Sequence, residues 1–527
     1  MIRLKNLETN FSSSKAALIV GVLTLVSRLV GLLRDRLFAS KFGAGDVLDA
    51  YYAAFRIPDL IFNLLVLGTL SVAFIPVFTS LLVKDKSRAI RNANTVLNFS
   101  TLSMGLVCLL LLAFSRPMTR ALVPGFFGQK FEDTLLLTRM FLLSPIIFTV
   151  SNLFSSVLNA SKKFFIVGFA PVLYNFGIIF GLLALYPKYG ILGLGAGVVL
   201  GALLHMLCQI PEILSLGFYW QPAMDLKDEA VRKIGKLFLP RIIGVDNSQV
   251  SLLIGSVVGS VLASGSIAIF TLANNLQAVP VGIFAISSAV AIFPVLSEEY
   301  AREEHGKFLD SLRETIVQIS FYIIPISILL LLLRAHAVRL AFGAGKFDWN
   351  DTRATFQVLG IFSISLLAQS LTPLFSRAFY ARHNTKIPVA INLCAMALNA
   401  ILAYYLGLRL GISGVAWGFT ASSILNALAL FLVLRHSLGK DWQDGRTMRY
   451  FDHKLLSDLL KICASSLVMG LVTYAWLYAS APWLNTRTGF GLLVQSGVSA
   501  FFGLSSLFVC GYYVKLPQAL QLAKKLF

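Results

Sequence analysis

The sequence predicts an all-α polytopic membrane protein. It has about 14 transmembrane helices, arranged as two pseudo-symmetric six-helix lobes plus a C-terminal helix pair. Three observations carry this prediction. First, 57 % of the 527 residues are apolar and 13 % are charged, about half the charged share of a soluble domain. Second, the apolar residues fall in long stretches, each near the roughly 20 residues a helix needs to cross a bilayer. Third, landmarks recur at one offset. AFIPV at 73–77 returns as AIFPV at 291–295, Asp133-Thr134 as Asp351-Thr352, and the turn ending at Pro171 as the turn ending at Pro388. Six spans is an even number, so both copies would run the same way through the membrane. The symmetry axis then lies along the membrane normal, as in transporters that rock two lobes about a central site.

Taken in order, residues 1–217 form the first lobe, with spans near 16–38, 52–81, 94–115, 134–159, 164–187 and 190–217. A charged cytoplasmic linker covers 218–236. Residues 237–435 form the second lobe, with spans near 237–262, 266–296, 314–335, 354–380, 387–408 and 411–435. Residues 436–527 hold the extra pair at 456–480 and 489–514 and a C-terminal tail. Pro58, Pro145, Pro171, Pro280, Pro325 and Pro373 lie inside spans and mark bends, which membrane helices tolerate where neighbours satisfy the freed backbone.

The net charge is +20, yet nothing resembles a nucleic-acid module. Lys and Arg instead favour alternate loops by about two to one, which places both termini in the cytoplasm. The first apolar stretch is too long and too charged for a cleaved leader, so it reads as a retained anchor. The five cysteines are scattered singly through apolar segments and read as small hydrophobes.

The chain is organised around residues 26–80. Arg28 falls near the middle of the first apolar stretch, and Arg34, Asp35 and Arg36 follow. A charge at mid-bilayer costs at least a few kcal/mol and survives when it faces a watery cavity or a partner. Arg28 and Arg34 are under two turns apart and are expected to face roughly one side. Three readings stay open. The arginines line a substrate pathway, they pair with acids inside the bundle, or Arg34 to Arg36 end the helix at the interface. With Asp35 the one acid nearby, the surplus positive charge suits an anionic substrate, and arginine matches phosphate geometry. Asp49, Arg56 and Asp59 flank the start of the second span.

Catalytic signals are absent. The six histidines are spread out, five in or beside loops, and no His-Glu-x-x-His, Cys-x-x-Cys, Walker loop or Gly-x-Ser-x-Gly occurs. The chain is expected to be no enzyme and to hold no metal or cofactor. Its driving force is then a monovalent-ion gradient, the membrane potential or substrate flux. Gly193-Leu-Gly195-Ala-Gly197 has no strand before it and reads as close helix packing. The acidic run 297–304 reads as a solvated cytoplasmic face. Asp246 at the start of span 7 binds a cation, pairs with an arginine or sits at the interface. Asn274, Asn275 and Gln277 line a cavity or bridge helices. Spans 13 and 14 carry a hydrocarbon tail on their surface, or serve as a scaffold or dimer face.

Taken together, SRLVGLLRD (27–35), FGAG (42–45), LDAYYAAFRIP (48–58), GTLSVAFIPV (68–77), ANNLQAVPVGIFAISSAVAIFPVLS (273–297) and YARHNTKIP (380–388) resemble the MurJ (MviN) family of lipid II flippases. That family belongs to the multidrug/oligosaccharidyl-lipid/polysaccharide exporter superfamily. The resemblance runs over nearly the whole chain. It implies movement of the lipid-linked peptidoglycan precursor, lipid II, from the inner to the outer leaflet of a bacterial inner membrane by alternating access. It also implies a central cationic cavity made by spans 1, 2, 7 and 8, and a groove at spans 13 and 14 for the polyprenyl tail. The partners implied are lipid II, membrane lipids and cell-wall synthesis proteins. Arg28 and Arg34 match the family's span-1 arginines, Asp35 the acid after them, and Asp49 the acid early in span 2. The chain departs from the pattern at Phe62, where a basic residue is usual, at Leu67, where an acid is usual, and at Asn275, where span 8 usually has arginine. Arg56 is expected to supply compensating charge, with Asp59 and Asp246 as gating partners. The departures leave open a different polyprenyl-pyrophosphate glycan as cargo, or a transport-inactive scaffold for envelope proteins.

Overall fold

The computed structural model describes residues 13–67, 70–242, 247–442, 445–486 and 488–520. All regular structure among them is helical. The chain divides into two compact units, ending at Ile267 and Phe527. The first contains α1 (Ser13–Phe42), α2 (Asp46–Phe62), α3 (Leu70–Lys84), α4 (Lys86–Ala113), α5 (Ser115–Leu122), α6 (Gly128–Phe141), α7 (Leu143–Ala160), α8 (Phe164–Phe180), α9 (Tyr186–Tyr189), α10 (Ile191–Leu207), α11 (Ile210–Ser215), α12 (Glu229–Ile242) and α13 (Asn247–Ser260). Helix α14 (Ser266–Pro280) starts at the end of this unit. The second contains α15 (Ser287–Ala301), α16 (His305–Leu332), α17 (Arg334–Phe342), α18 (Trp349–Ala381), α19 (Lys386–Leu410), α20 (Ile412–Trp442), α21 (Gly445–Ser480) and α22 (Gly489–Tyr513).

Among the described residues, eleven helices are long and apolar enough to cross a membrane. Length and composition among the described residues therefore account for eleven of the expected spans. Helix α1 covers the first expected span, and the shorter apolar stretches Phe74–Lys84 and Gln249–Ser260 fall in expected spans 2 and 7.

Three of the prolines do mark irregular helix. Pro58, Pro171 and Pro280 each precede a stretch of π-helix, at Asn63–Leu67, Gly181–Leu185 and Val281–Ile286. Such wide turns cost regular hydrogen bonds and recur at functional positions. One freed carbonyl is answered from another helix. Lys41 Nζ donates to Leu182 O at 2.9 Å and lies 4.7 Å from the centre of the Tyr186 ring.

Glycines explain how α8 and α10 pack. A Cβ on Gly177 would lie 2.3 Å from Gly201 Cα, and one on Gly197 would lie 2.5 Å from Gly181 Cα. The two backbones touch where side chains are missing, as the small-residue reading of 193–197 requires.

The linker is ordered against α4. Asn94 accepts from Gln221 N at 3.0 Å and donates to Tyr219 O at 3.0 Å. Asn98 donates to Gln221 O and Ala223 O, at 2.8 and 2.9 Å, and accepts from Trp220 Nε1 at 2.9 Å. These side chains act as a second strand edge for an extended segment. Arg88 Nε then donates to Asp228 at 3.0 Å just before α12 begins.

In the second unit, the core draws on α15, α16, α18, α20 and α21. The C-terminal pair is locked to it. Thr473 and Gly503 bring α21 against α22, and Trp476 stacks on Phe502 at 4.1 Å. Arg313 of α16 pairs with Asp458 of α21 at 2.6 Å, and His336 of α17 bonds Gln495 of α22 at 2.9 Å.

Candidate functional site

Helices α1, α2 and α8 bring polar side chains together inside an apolar bundle. Arg34 is the hub. Its Nε and Nη2 donate to Asp35 Oδ1 at 3.0 and 2.7 Å, and its Nη1 donates to Asn175 Oδ1 of α8 at 3.0 Å. Asn175 is fixed in turn, donating to Pro171 O one turn back at 3.0 Å. This fork fixes the guanidinium plane, the arrangement that favours arginine over lysine.

Helix α2 adds Arg56 and Asp59 one turn apart. Arg56 is buried and its Nε donates to Ser256 Oγ of α13 at 3.0 Å. Asp59 is exposed, and its charge is felt from Arg56 and Arg34. Tyr51 and Tyr52 are buried with hydroxyls that lack partners, and both interact electrostatically with Arg34. Arg28 is half-buried on α1, with no hydrogen bond or ion pair among the described residues. Six residues is about one and two-thirds turns, so Arg28 and Arg34 point apart rather than to one side. Arg34 has a partner on α8, and Arg28 has none.

Asp49 is held elsewhere, where the first turns of α2 and α6 meet the loop before α14. It is fully buried and accepts Lys130 Nζ at 2.8 Å and Gly265 N at 2.7 Å. Asp46 accepts the same ammonium at 2.7 Å and Ser264 Oγ at 2.6 Å. The Lys130 ammonium, and then the Ser264 hydroxyl, hold the Asp46 carboxyl below its ordinary range. Gly265 has φ +87°, and a Cβ there would lie 2.0 Å from Ala44 O. Only glycine allows this approach. Gly125 meets Ser260 in the same way and donates to Ser260 Oγ at 3.2 Å.

Asn275 is half-buried on α14 in the second unit, next to the bonded pair Asn274 and Gln277. Gln369 of α18 donates to Gln277 at 3.1 Å, so this polar group does bridge helices. Asp246 lies outside the described residues. Phe62 packs on Phe148 of α7 at 5.4 Å between centroids, filling the space of the expected basic residue with a ring contact.

Sequence reasoning missed Asn175, Lys130, Ser256 and the two tyrosines. Asn175 had a signal, since it is the polar residue in the apolar run FFIVGFAPVLYNFGIIF. Lys130 had none, because its role depends on two loops distant in sequence.

A many-helix apolar bundle with arginines partly or fully buried in its first two spans has the character of a membrane transporter. The family model described as lipid II flippase MurJ matches residues 38–487. The chain belongs to that family. It is 29 % identical over 499 residues to a probable lipid II flippase MurJ of Buchnera aphidicola, covering 93 % of this chain and 94 % of the relative. It is 30 % identical over 432 residues to that of Vibrio cholerae, covering 79 % and 82 %. In fold it is similar to a solved lipid II flippase MurJ in an inward closed conformation, with a TM-score of 0.75, 23 % identity, and 94 % of this chain and 99 % of that one covered. It is also similar to a multidrug resistance MATE family transporter in an inward-facing conformation, with a TM-score of 0.63, 17 % identity, and 81 % and 99 % covered.

Proposed function

We propose that this chain flips lipid II from the inner to the outer leaflet of the bacterial inner membrane, by alternating access of two six-helix lobes. The observation that carries the reading is the charge balance of spans 1 and 2. Arg28 and Arg34 of span 1 stand against Asp35, while Asp49 is taken by Lys130. The surplus positive charge in an apolar bundle suits a pyrophosphate, which the Arg34 guanidinium matches in geometry once its bonds to Asp35 and Asn175 are exchanged for it. Both termini lie in the cytoplasm, so the Asp49–Lys130 loops close the outer face. The tail of the substrate rides on spans 13 and 14, and the membrane potential or a monovalent ion drives the cycle. Cell-wall synthesis proteins receive the flipped precursor.

The test is rescue of a bacterium depleted of its own lipid II flippase. Wild type restores growth. Arg28→Ala reaches the membrane and fails. A fully active Arg28→Ala removes the phosphate-binding role. Phe62 in place of a basic residue favours a second reading, a flippase for another polyprenyl-pyrophosphate glycan. Wild type that reaches the membrane without rescuing growth, and binds such a lipid but not lipid II when purified, selects that reading. Wild type that binds neither lipid leaves the transport-inactive scaffold.

A further inference from the structure

One histidine of the first unit lies inside the bundle, and its surroundings are built. His205 sits on α10. Its Nδ1 lies 2.6 Å from Ser151 Oγ of α7. Gln209, fully buried one turn on, donates to Ser151 Oγ at 2.7 Å and to His205 O at 2.9 Å. Ser155 Oγ donates to Gln209 Oε1 at 2.9 Å. Ser151 is itself fully buried and has a second acceptor in reach, His205 O at 3.3 Å.

Donor and acceptor bookkeeping gives this network two complete states. With a neutral ring accepting at Nδ1, the Ser151 hydroxyl donates to it. With Nδ1 protonated, the ring donates to Ser151 Oγ, which also accepts Gln209, and the hydroxyl turns to His205 O. The ring is half-buried, and its Nε2 edge has no protein partner among the described residues. A proton can therefore be added while every hydroxyl and amide bond of the network is kept, and only the weaker Cys208 Sγ contact to His205 O at 3.3 Å gives way.

The site also touches the charge cluster. Phe148 lies edge-on to His205 at 5.3 Å between centroids, and it contacts Tyr174 at 5.1 Å and Phe62 at 5.4 Å. Tyr174 interacts electrostatically with Asp59 and Arg34. One ring thus separates His205 from Phe62. The elements packed against α10 are α6 to α9, α11 and the π turn at 181–185. Arg139 of α6 is bonded to Ser115, and Glu212 of α11 to Lys163. Lys130, Glu132 and Asp133 lie in the first two turns of α6, Tyr186, Lys188 and Tyr189 on α9, and Cys208 on α10 itself.

We propose that His205, with Ser151 and Gln209, is a proton-binding site that charges when the anionic headgroup arrives. Each lipid then carries a proton with it. This rests on the flippase reading above. A lone imidazolium in a membrane interior is costly, and a nearby dianion offsets that cost. Linkage makes the effect reciprocal, so the proton tightens headgroup binding by the factor with which the headgroup tightens proton binding.

The experiment is titration of the purified full chain in nanodiscs with lipid II, by calorimetry in buffers of different ionisation enthalpy. Wild type is expected to take up about one proton per lipid bound, and His205→Gln to bind without uptake. Equal uptake by the two overturns the proposal. If wild type binds no lipid II at all, the substrate reading fails separately. Hydrogen–deuterium exchange at His205 C2 with inorganic pyrophosphate then decides the proton site. A titration midpoint raised by pyrophosphate upholds it, and an unmoved midpoint overturns it.

Discussion

At the scale of single residues, the candidate site is an arginine fork whose two sides differ in kind. Asp35 supplies a charged partner with a nearly buried side chain, and Asn175 a neutral one. Removing an acid from a buried pair strands a charge, at a cost of about 3–5 kcal/mol when fully buried. Arg34 keeps a fifth of its side chain open, with 21 % exposure, so the lower end applies. Losing a hydrogen bond to a charged group costs about 1.5–3 kcal/mol. Asp35→Ala is therefore expected to lower the unfolding midpoint in detergent more than Asn175→Ala does, and a scan of both variants checks the order. Arg28, Arg34 and Asp35 were legible because charge in an apolar stretch is conspicuous. Asn175 was less so, because an amide in a span can bond within its own helix. The separate fate of Asp49 was not legible. Nothing local to residues 46–49 says that Lys130 and Gly265 N will converge on them.

At the scale of elements, glycines in one run have different jobs. Gly197 meets the backbone of Gly181, which cannot yield, whereas Gly195 meets Met140 Sδ, the flexible end of a side chain. Overpacking costs about 1–3 kcal/mol where neighbours must shift. Gly197→Ala is expected to lower yield and thermal stability clearly, and Gly195→Ala to leave them close to wild type, measured by fluorescence-detected size exclusion after heating. Equal damage from both would mean that the run is not a packing seam. Most helices could be read from apolar length alone. The π turns could not, since Pro145, Pro325 and Pro373 are also in or beside helices yet precede none. A proline frees the carbonyl one turn before it, and tertiary partners decide how the backbone answers.

At the scale of the whole molecule, the internal repeat is written in the backbone as well as the sequence. Lys162 has φ 62° and His383, 221 residues later, φ 57°. Gly190 and Gly411 show the same recurrence, as do Gly128 and Gly345. Packing divides the chain at another place. Helix α13 opens the second copy by sequence, yet it meets α2 through Arg56 and Ser256 within the first compact unit. This junction is where the lock of Asp46, Asp49, Lys130 and Gly265 sits, and it yields the prediction with the widest reach. If the flippase works by alternating access, these loops must part once in every cycle. A double variant Asp46→Cys/Lys130→Cys, joined by a short bis-maleimide, holds them together. Linked protein in liposomes is expected to lose lipid II flipping, while the same variant without linker retains it. Flipping that survives linkage would exclude this lock as a gate. Acid gives an independent handle. The Asp46 carboxyl is held below its ordinary range by Lys130, so its contribution is fully present above the ordinary aspartate pKa and is lost as pH falls through the lower folded value. Accessibility of a single cysteine placed at Ala44 should therefore stay low from neutral pH down to that range and rise only below it. The rise should come at higher pH in Lys130→Met, where the Ser264 hydroxyl is left to hold the carboxylate without the ammonium.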